Sequence, residues 1–268
     1  MNFKTKTRNF NINKNKLSYN LKKKISKVSD MSYKLSKSKI NDYLQCPRKF
    51  RYSYINKIET EENEYFKIGG DVHQIAEDFI KLWQKDDSID FLDTLYELES
   101  KYDDDYKDHC IHLADFFKEK LTCEGYKVFS TEEYLFSEKY NFSGLADIVL
   151  EKDGKLTVID YKTGKSKSAR DYVTELCYYK MLVEDAYPDE TVEYAAIYFT
   201  KDGKYSELKF IEEEFSAVNC SVTEYNNKIE LIEEVRTKIE AGEFPPKRQY
   251  LCQYCDFKTH CDEEGFII

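Results

Sequence analysis

Residues 141–164, which read NFSGLADIVLEKDGKLTVIDYKTG, contain a predicted β-hairpin. Two runs rich in apolar and β-branched residues flank the pair Asp153-Gly154, which is typical of a two-residue hairpin turn. Counting back along both strands from that turn places Asp147 directly opposite Asp160. The stretch therefore predicts two carboxylates that face each other across neighbouring strands.

A lysine two residues after Asp160 belongs to the same predicted site. Because side chains alternate along a strand, Lys162 projects from the same face as both aspartates. Both faces are otherwise apolar, as in central strands that helices cover. Facing carboxylates on such a surface repel each other and lose hydration, and a divalent cation removes both problems. The opposite face is expected to carry Ala146, Ile148, Leu150, Ile159 and Tyr161.

The chemistry of this predicted site depends on whether a metal binds there. Oxygen ligands favour a hard ion such as Mg²⁺ or Mn²⁺, which polarises a phosphate and lowers the pKa of a bound water. Lys162 would then orient that water or neutralise charge on the phosphate. The alternative is a plain salt bridge between Lys162 and one aspartate at a strand end.

The pattern Gly144-x-x-Asp147 followed by Asp160-Tyr-Lys-Thr-Gly164 resembles the core of the PD-(D/E)xK nuclease superfamily, and specifically its RecB-like branch. This resemblance implies that the two aspartates bind metal and that Lys162 assists phosphodiester hydrolysis. It also implies a restriction-endonuclease-like α/β fold, in which a central mixed β-sheet is flanked by helices.

Two flanking motifs fit the same branch. Gly69-Gly-Asp-Val-His73 resembles its G-x₃-H element, whose histidine joins the metal site, whereas a histidine standing alone here would be an ordinary helix residue. Glu175 and Tyr179 occupy the positions of the branch's catalytic Q-x₃-Y motif, one helical turn apart. Because Glu175 replaces the glutamine, it either contacts Lys162 or a water on the metal, or it marks an altered site.

Four cysteines near the two ends of the chain form a second candidate site. Cys252, Cys255 and Cys261 are clustered, and Cys46 stands far upstream of them. Four thiolates suit an iron–sulfur cluster or Zn²⁺, and the spacing leaves both open, together with free thiols, although a single C-x₂-C knuckle favours zinc less. Their order resembles the iron–sulfur staple of RecB-like nucleases, which include CRISPR-associated exonucleases and AddB-type nucleases. The resemblance implies a [4Fe–4S] cluster that ties the two termini together.

The length of 268 residues suits one domain with an appendage. Residues 1–35 are predicted to be a basic, disordered arm, with Met31 as an alternative start. Residues 36–268 are predicted to form the nuclease domain, in which 36–60 and 245–268 contain the cysteine cluster.

Charge and composition restrict the class of protein. The net charge is −10, although residues 1–40 hold 12 Lys and Arg and a single acid, so the body is strongly acidic and a sequence-blind DNA coat protein is disfavoured. There is no apolar run of the ~18 residues that span a membrane and no apolar region behind the basic N-terminus. We therefore expect a cytoplasmic protein with reduced thiols. A Walker G-x₄-GK[ST] loop is missing, so any helicase is expected to be a separate partner.

Hydrophobic periodicity predicts helices and strands on both sides of the hairpin. A short helix is expected to begin after Ser38, and a long one to run from about 215 to Ala241 with Val218 and Val222 on its apolar face. The other predicted helices span 71–84, 90–101, 106–122 and 170–186, and the predicted strands span 126–138, 142–150, 155–162, 192–200 and 204–210.

The leading functional hypothesis is a metal-dependent deoxyribonuclease that acts as an exonuclease on single strands or duplex ends. DNA repair, recombination and CRISPR adaptation are the expected settings, with a helicase or an adaptation protein as a possible partner. Basic runs beside the two motif clusters are expected to contact DNA: Arg48, Lys49, Arg51, Lys165, Lys167, Arg170, Lys247 and Arg248. The alternative is a non-catalytic, iron–sulfur DNA-binding subunit, and an RNA substrate also stays open.

Overall fold

The computed structural model describes residues 34–60, 64–212 and 216–266. Residues 1–33 of the predicted basic arm lie outside them. The strands are β1 Leu35–Ser36, β2 Lys127–Ser137, β3 Phe142–Lys152, β4 Lys155–Lys162, β5 Val192–Phe199, β6 Lys204–Ile211 and β7 Asn219–Ser221. The α-helices are α1 Lys37–Gln45, α2 Pro47–Phe50, α3 Glu64–Trp83, α4 Phe91–Glu99, α5 Lys107–Phe117, α6 Val173–Ala186, α7 Val222–Glu240 and α8 Lys258–Glu263.

The strands form one mixed sheet in the order β1-β3-β4-β5-β6-β7, and β2 pairs with β3. Strand β3 runs antiparallel to β2 and β4 and parallel to β1. Strands β4 and β5 are parallel, β5 and β6 form the predicted antiparallel hairpin, and β6 and β7 are parallel. This arrangement confirms the predicted central mixed sheet of a restriction-endonuclease-like fold.

The hairpin between β3 and β4 has the predicted register. Lys152 pairs with Lys155, and the ladder continues to the pair of Ile148 and Ile159. The turn residues Asp153 and Gly154 have φ angles of 53° and 72°. Positive φ at both central positions is what a type I′ turn requires, and its twist matches that of the strands. A local turn signal therefore positions the two acidic residues further along.

Helices cover both faces of the sheet and bury two apolar clusters. Helices α1, α6 and α7 pack with sheet residues such as Val149 and Val158 on one face. Helices α3, α4 and α5 pack with Ile148, Ile159 and Tyr161 on the other face. The sheet is therefore apolar on both sides, as predicted, and a carboxylate on its central strands is removed from water.

Two predicted helix boundaries were wrong. Ser36, not Ser38, is the N-cap of α1, because the chain already enters the helix at Lys37. The long C-terminal helix begins at Val222 after the N-cap Ser221, whose side chain accepts the backbone N–H of Glu224, and 219–221 form β7 instead. Val218 and Val222 are consequently exposed. Among the described residues, we find no helix with the length and apolar character needed to cross a bilayer.

Candidate active site

The paired aspartates lie where the ladder between β3 and β4 ends. Asp147 and Asp160 follow the last regular pair, Ile148 with Ile159, and both are buried. The backbone N–H of Tyr161 donates to Asp147 Oδ2 at 2.6 Å, so a side chain replaces the next backbone acceptor. The hydroxyl of Tyr179 on α6 donates to Asp160 Oδ1 at 2.8 Å. The predicted juxtaposition of the two carboxylates is present, and each carboxylate is oriented by a hydrogen bond.

The alternation of side chains along β3 is interrupted at Asp147. Ala146 was predicted to share a face with Ile148, but it packs in the cluster that contains Val149 on the opposite face. On the neighbouring strand, Glu132 has a φ of 44° between regularly paired residues. An irregularity on two adjacent strands re-aims side chains. Here it accompanies the approach of the Glu132 carboxylate to Asp147 and His73.

His73 on α3 completes a group of three possible metal ligands. Its Nε2 donates to the carbonyl oxygen of Tyr161 at 3.1 Å, so Nδ1 is the ring nitrogen directed at the acids. That Nδ1 lies 3.4 Å from Asp147 Oδ1 and 3.8 Å from Glu132 Oε1. One ligand atom from each of the three residues lies within 4.8 Å of the other two. This is the donor set of a divalent-cation site with one nitrogen and several oxygens.

The electrostatics of the group favour a bound cation. Burial and the neighbouring Asp147 raise the pKa of Glu132 to about 7. The same two causes raise the pKa of Asp160 above its usual value. Burial acts to lower the pKa of His73, but the hydrogen bond and charge of Asp147 outweigh it and raise that pKa to about 9, so a metal ion held by Nδ1 would displace a proton from it. Oε1 of Glu132 is buried without a hydrogen-bond partner among the described residues. The residues present therefore fit a metal ion.

Lys162 is held between two acids. Its ammonium contacts Asp160 Oδ2 and lies 3.1 Å from Glu175 Oε1. Burial acts to lower the pKa of Lys162, but Asp160 and Glu175 outweigh it and raise that pKa above its ordinary value. The contact with Glu175 is one that the sequence suggested for the residue replacing glutamine. The ammonium therefore stays charged at neutral pH.

A second lysine reaches the same acid. Lys37 Nζ, from the first turn of α1, lies 2.5 Å from Glu175 Oε1. Glu175 is buried and thus bridges two ammonium groups, which compensates the negative charge that Glu introduces. Sequence reasoning missed this contact, because Lys37 and Glu175 are joined only by packing of the N-terminal segment against α6.

Gly144 gives α6 room to approach the site. A Cβ atom there would lie 2.7 Å from Leu182 Cδ1 and 3.8 Å from Tyr179 Cε1. The glycine of the predicted motif therefore serves packing, since it lets Tyr179 reach Asp160. A cavity of about 400 Å³ opens between these elements, lined by His73, Asp147, Asp160, Lys162, Glu175 and Tyr179. All the predicted catalytic and metal-binding residues of the nuclease site thus face one cavity.

Sequence reasoning also missed Glu132. It lies on a predicted strand in the pair Glu132-Glu133, and its neighbour's carboxylate accepts from the Tyr187 hydroxyl instead. Pairing β2 with β3 would have placed Glu132 beside Asp147. The register shifts between Val128 and Ser130, however, so counting pairs from the start of β2 does not predict this pair.

The four predicted cluster cysteines lie together at the other candidate site. Cys46, Cys252, Cys255 and Cys261 all line one cavity of about 210 Å³. The backbone N–H of Gln249 donates to Cys252 Sγ at 3.4 Å. No three of these described cysteines have sulfurs that all lie within 4.8 Å of one another.

Four of the basic residues predicted to contact DNA are engaged with acids. Arg48 and Arg51 both pair with Glu264, at 3.6 Å and 2.5 Å. Lys49 pairs with Asp42 at 3.0 Å. Arg170 likewise binds Glu224 at 2.6 Å, whereas Lys165 and Lys167 are exposed. These ion pairs connect the segments around the cysteines and α7, so we assign these basic residues a structural role before a role in DNA binding.

A sequence model of the PD-(D/E)XK nuclease superfamily matches residues 34–262, and the chain belongs to this superfamily. The CRISPR-associated exonuclease Cas4 of Francisella tularensis subsp. novicida is 24% identical over 131 residues, which are 47% of this chain and 59% of that protein. The chain therefore spans less than two thirds of the curated relative it matches. A crystal structure of a candidate exonuclease from Eubacterium rectale covers 94% of this chain and 93% of its own, with 12% identity and a TM-score of 0.47.

Proposed function

We propose that the protein is a metal-dependent DNA exonuclease that acts on single strands or on duplex ends. The observation that carries this proposal is the shared cavity of His73, Asp147, Asp160 and Lys162, with Glu132 behind it. DNA repair, recombination or CRISPR adaptation is the setting we propose, and the name of the Francisella relative supports the last of these.

His73, Glu132 and Asp147 would hold the ion, with Asp160 beside them. When bound, Mg²⁺ or Mn²⁺ supplies a Lewis acid for the phosphate and lowers the pKa of water. Lys162 stays protonated, so it stabilises negative charge on the scissile phosphate and does not act as a base.

Glu175 and Tyr179 position other groups in this proposal. Glu175 holds the ammonium of Lys162 at 3.1 Å. Burial and Asp160 raise the pKa of Tyr179 well above its usual value, so its hydroxyl remains a hydrogen-bond donor to Asp160. Neither side chain needs to exchange a proton with the substrate.

The test compares wild-type protein with Lys162→Ala and with Lys155→Ala, a matched control at the exposed turn end of the same strand. End-labelled linear and circular single strands and duplexes are incubated with Mg²⁺, Mn²⁺ or EDTA. We expect metal-dependent cleavage of linear DNA by the wild type and by Lys155→Ala, and none by Lys162→Ala. Cleavage of circular DNA would refute the exonuclease assignment, and binding without cleavage under every metal would favour a non-catalytic subunit.

We further propose that Cys46, Cys252, Cys255 and Cys261 bind a [4Fe–4S] cluster. Around one Zn²⁺ ion, Zn–S bonds of about 2.3 Å would hold the four sulfurs about 3.8 Å apart, whereas a four-iron cluster separates them further. The spread of the sulfurs around a cavity and the N–H donated to Cys252 suit the larger group.

Metal analysis of anaerobically purified protein tests this assignment. Wild-type protein should contain about four iron atoms per chain and absorb visible light, and Cys46→Ser should lose both. Cys123→Ser is the matched control, because Cys123 is exposed and lies outside the cavity. A content of one zinc atom per chain would refute the iron–sulfur assignment and favour the alternative zinc site.

A further inference from the structure

An exposed apolar surface adjoins the active-site cavity. Tyr134, Phe136 and Leu145 are 59%, 38% and 45% exposed. Tyr134 pairs with Leu145 across β2 and β3, and Phe136 stands two residues along the same strand, so the three side chains share one face of the sheet. Exposed apolar groups that are contiguous in this way mark interaction sites more often than scattered ones.

This surface, which we call the Tyr134 platform, is continuous with the reaction centre. Tyr134 and Leu145 line the same cavity as Asp147, Asp160 and Lys162. A molecule whose phosphate lies at Lys162 therefore has its next part directed over the platform.

Positive charge accompanies the aromatic rings. Lys34 Nζ lies 4.3 Å from the centroid of the Phe136 ring and donates a hydrogen bond to the Tyr134 hydroxyl at 2.7 Å. Lys37 lines the adjoining cavity. Aromatic faces beside ammonium groups suit a polyanion that carries flat rings, such as a nucleic acid. An acidic protein segment would use only the charge, and an apolar one only the rings.

We propose that the Tyr134 platform stacks unpaired nucleobases next to the scissile phosphate. This inference deepens the proposed nuclease function and rests on it. In a duplex the bases stack on one another and present only their edges, whereas an unpaired strand offers its base faces to aromatic side chains. Rings two residues apart on one strand lie about 7 Å from each other, which lets each ring take a separate base. The platform therefore selects single-stranded DNA or the frayed end of a duplex.

Binding in EDTA tests the platform without cleavage. Full-length wild type, Tyr134→Ala, Tyr134→Phe and Tyr134→Trp are titrated with a fluorescent single-stranded oligonucleotide. Loss of one stacking partner should weaken binding about 5- to 140-fold, and the two aromatic replacements should keep most of the affinity. Tyr250→Ala is the matched control, because Tyr250 is 77% exposed and does not line the acidic cavity. Thermal melting checks that each variant folds.

A single abasic nucleotide, moved along the strand, identifies the stacked base. In wild type we expect one position, or two neighbouring positions, at which loss of the base weakens binding, and Tyr134→Ala should remove that penalty at one of them. Equal penalties in both proteins, or unchanged affinity of Tyr134→Ala, would overturn the platform. A wild type that binds in this pattern but never cleaves would refute the nuclease proposal alone.

Discussion

Glu132 provides the sharpest prediction, because its substitution should stabilise the metal-free protein and also weaken the stabilisation that a metal ion supplies. In the metal-free protein the pKa of Glu132 rises from 4.5 to about 7, mainly through burial and then through Asp147. At a pH above both values this rise corresponds to about 3 kcal/mol of unfavourable free energy in the folded state. Since the side chain is only 12% exposed, solvent screening removes little of it. Glu132→Gln should therefore stabilise the metal-free protein.

The pH dependence has a definite sign. A carboxyl whose pKa is raised by folding costs nothing below its unfolded value of 4.5, and its cost is complete above about 7. The advantage of Glu132→Gln should thus be absent below pH 4.5 and grow across this window. Above pH 7, about 3 kcal/mol corresponds to a melting temperature raised by about 6–12 °C.

Metal should narrow the stability difference between the two proteins. Removing a ligand should weaken metal binding by at least about tenfold, since even the supporting residues of metal sites contribute 10- to 100-fold. At saturating ion the wild type then gains about 1.4 kcal/mol or more over the variant from the metal.

Thermal melting in EDTA and in a Mg²⁺ or Mn²⁺ series measures both effects. Glu133→Gln is the matched control, because the carboxylate of Glu133 accepts from Tyr187 and does not belong to the ligand group. A Glu132→Gln variant that melts lower than wild type in EDTA above pH 7, or that keeps the full metal-induced stabilisation, would refute the reasoning.

Three further predictions concern the groups around the site. Gly144→Ala should lower the free energy of unfolding, measured by urea denaturation, by about 1–3 kcal/mol, because its Cβ would meet Leu182 Cδ1. The double variant with Leu182→Ala should lose less stability than the sum of the two single losses. Lys37→Met and Glu175→Gln should show a coupling of about 1 kcal/mol in a double-mutant cycle, and simple additivity would contradict the ion pair. Burial lowers the pKa of His109, so stability should fall as the pH drops below 6.5, and His109→Gln should flatten that fall in a pH series of melting curves.

Local signals were sufficient for the central hairpin. The Asp153-Gly154 turn and the alternation of apolar residues determined the register of the ladder as far as Ile148 and Ile159, and Asp147 and Asp160 are the next residues on the two strands. These signals act over a few residues, and they are strong because a one-residue slip would turn every side chain to the wrong face. Helix periodicity likewise predicted the buried face of α3, which presents His73. The chemistry of the two strands was therefore readable from the sequence itself.

Contacts between distant segments were decided only by the tertiary structure. Glu132 lies beside Asp147 because β2 pairs with β3 in a register that shifts between Val128 and Ser130, and such a shift follows from packing, not from any periodicity. Lys37 reaches Glu175 across 138 positions of the chain because α1 packs beside α6. Cys46 likewise meets the C-terminal cysteines only after both ends fold back on the domain. The sequence by itself determined which residues carry the chemistry on each strand, and the long-range packing decided which charges surround them, since a local pattern contains no information about its distant neighbours.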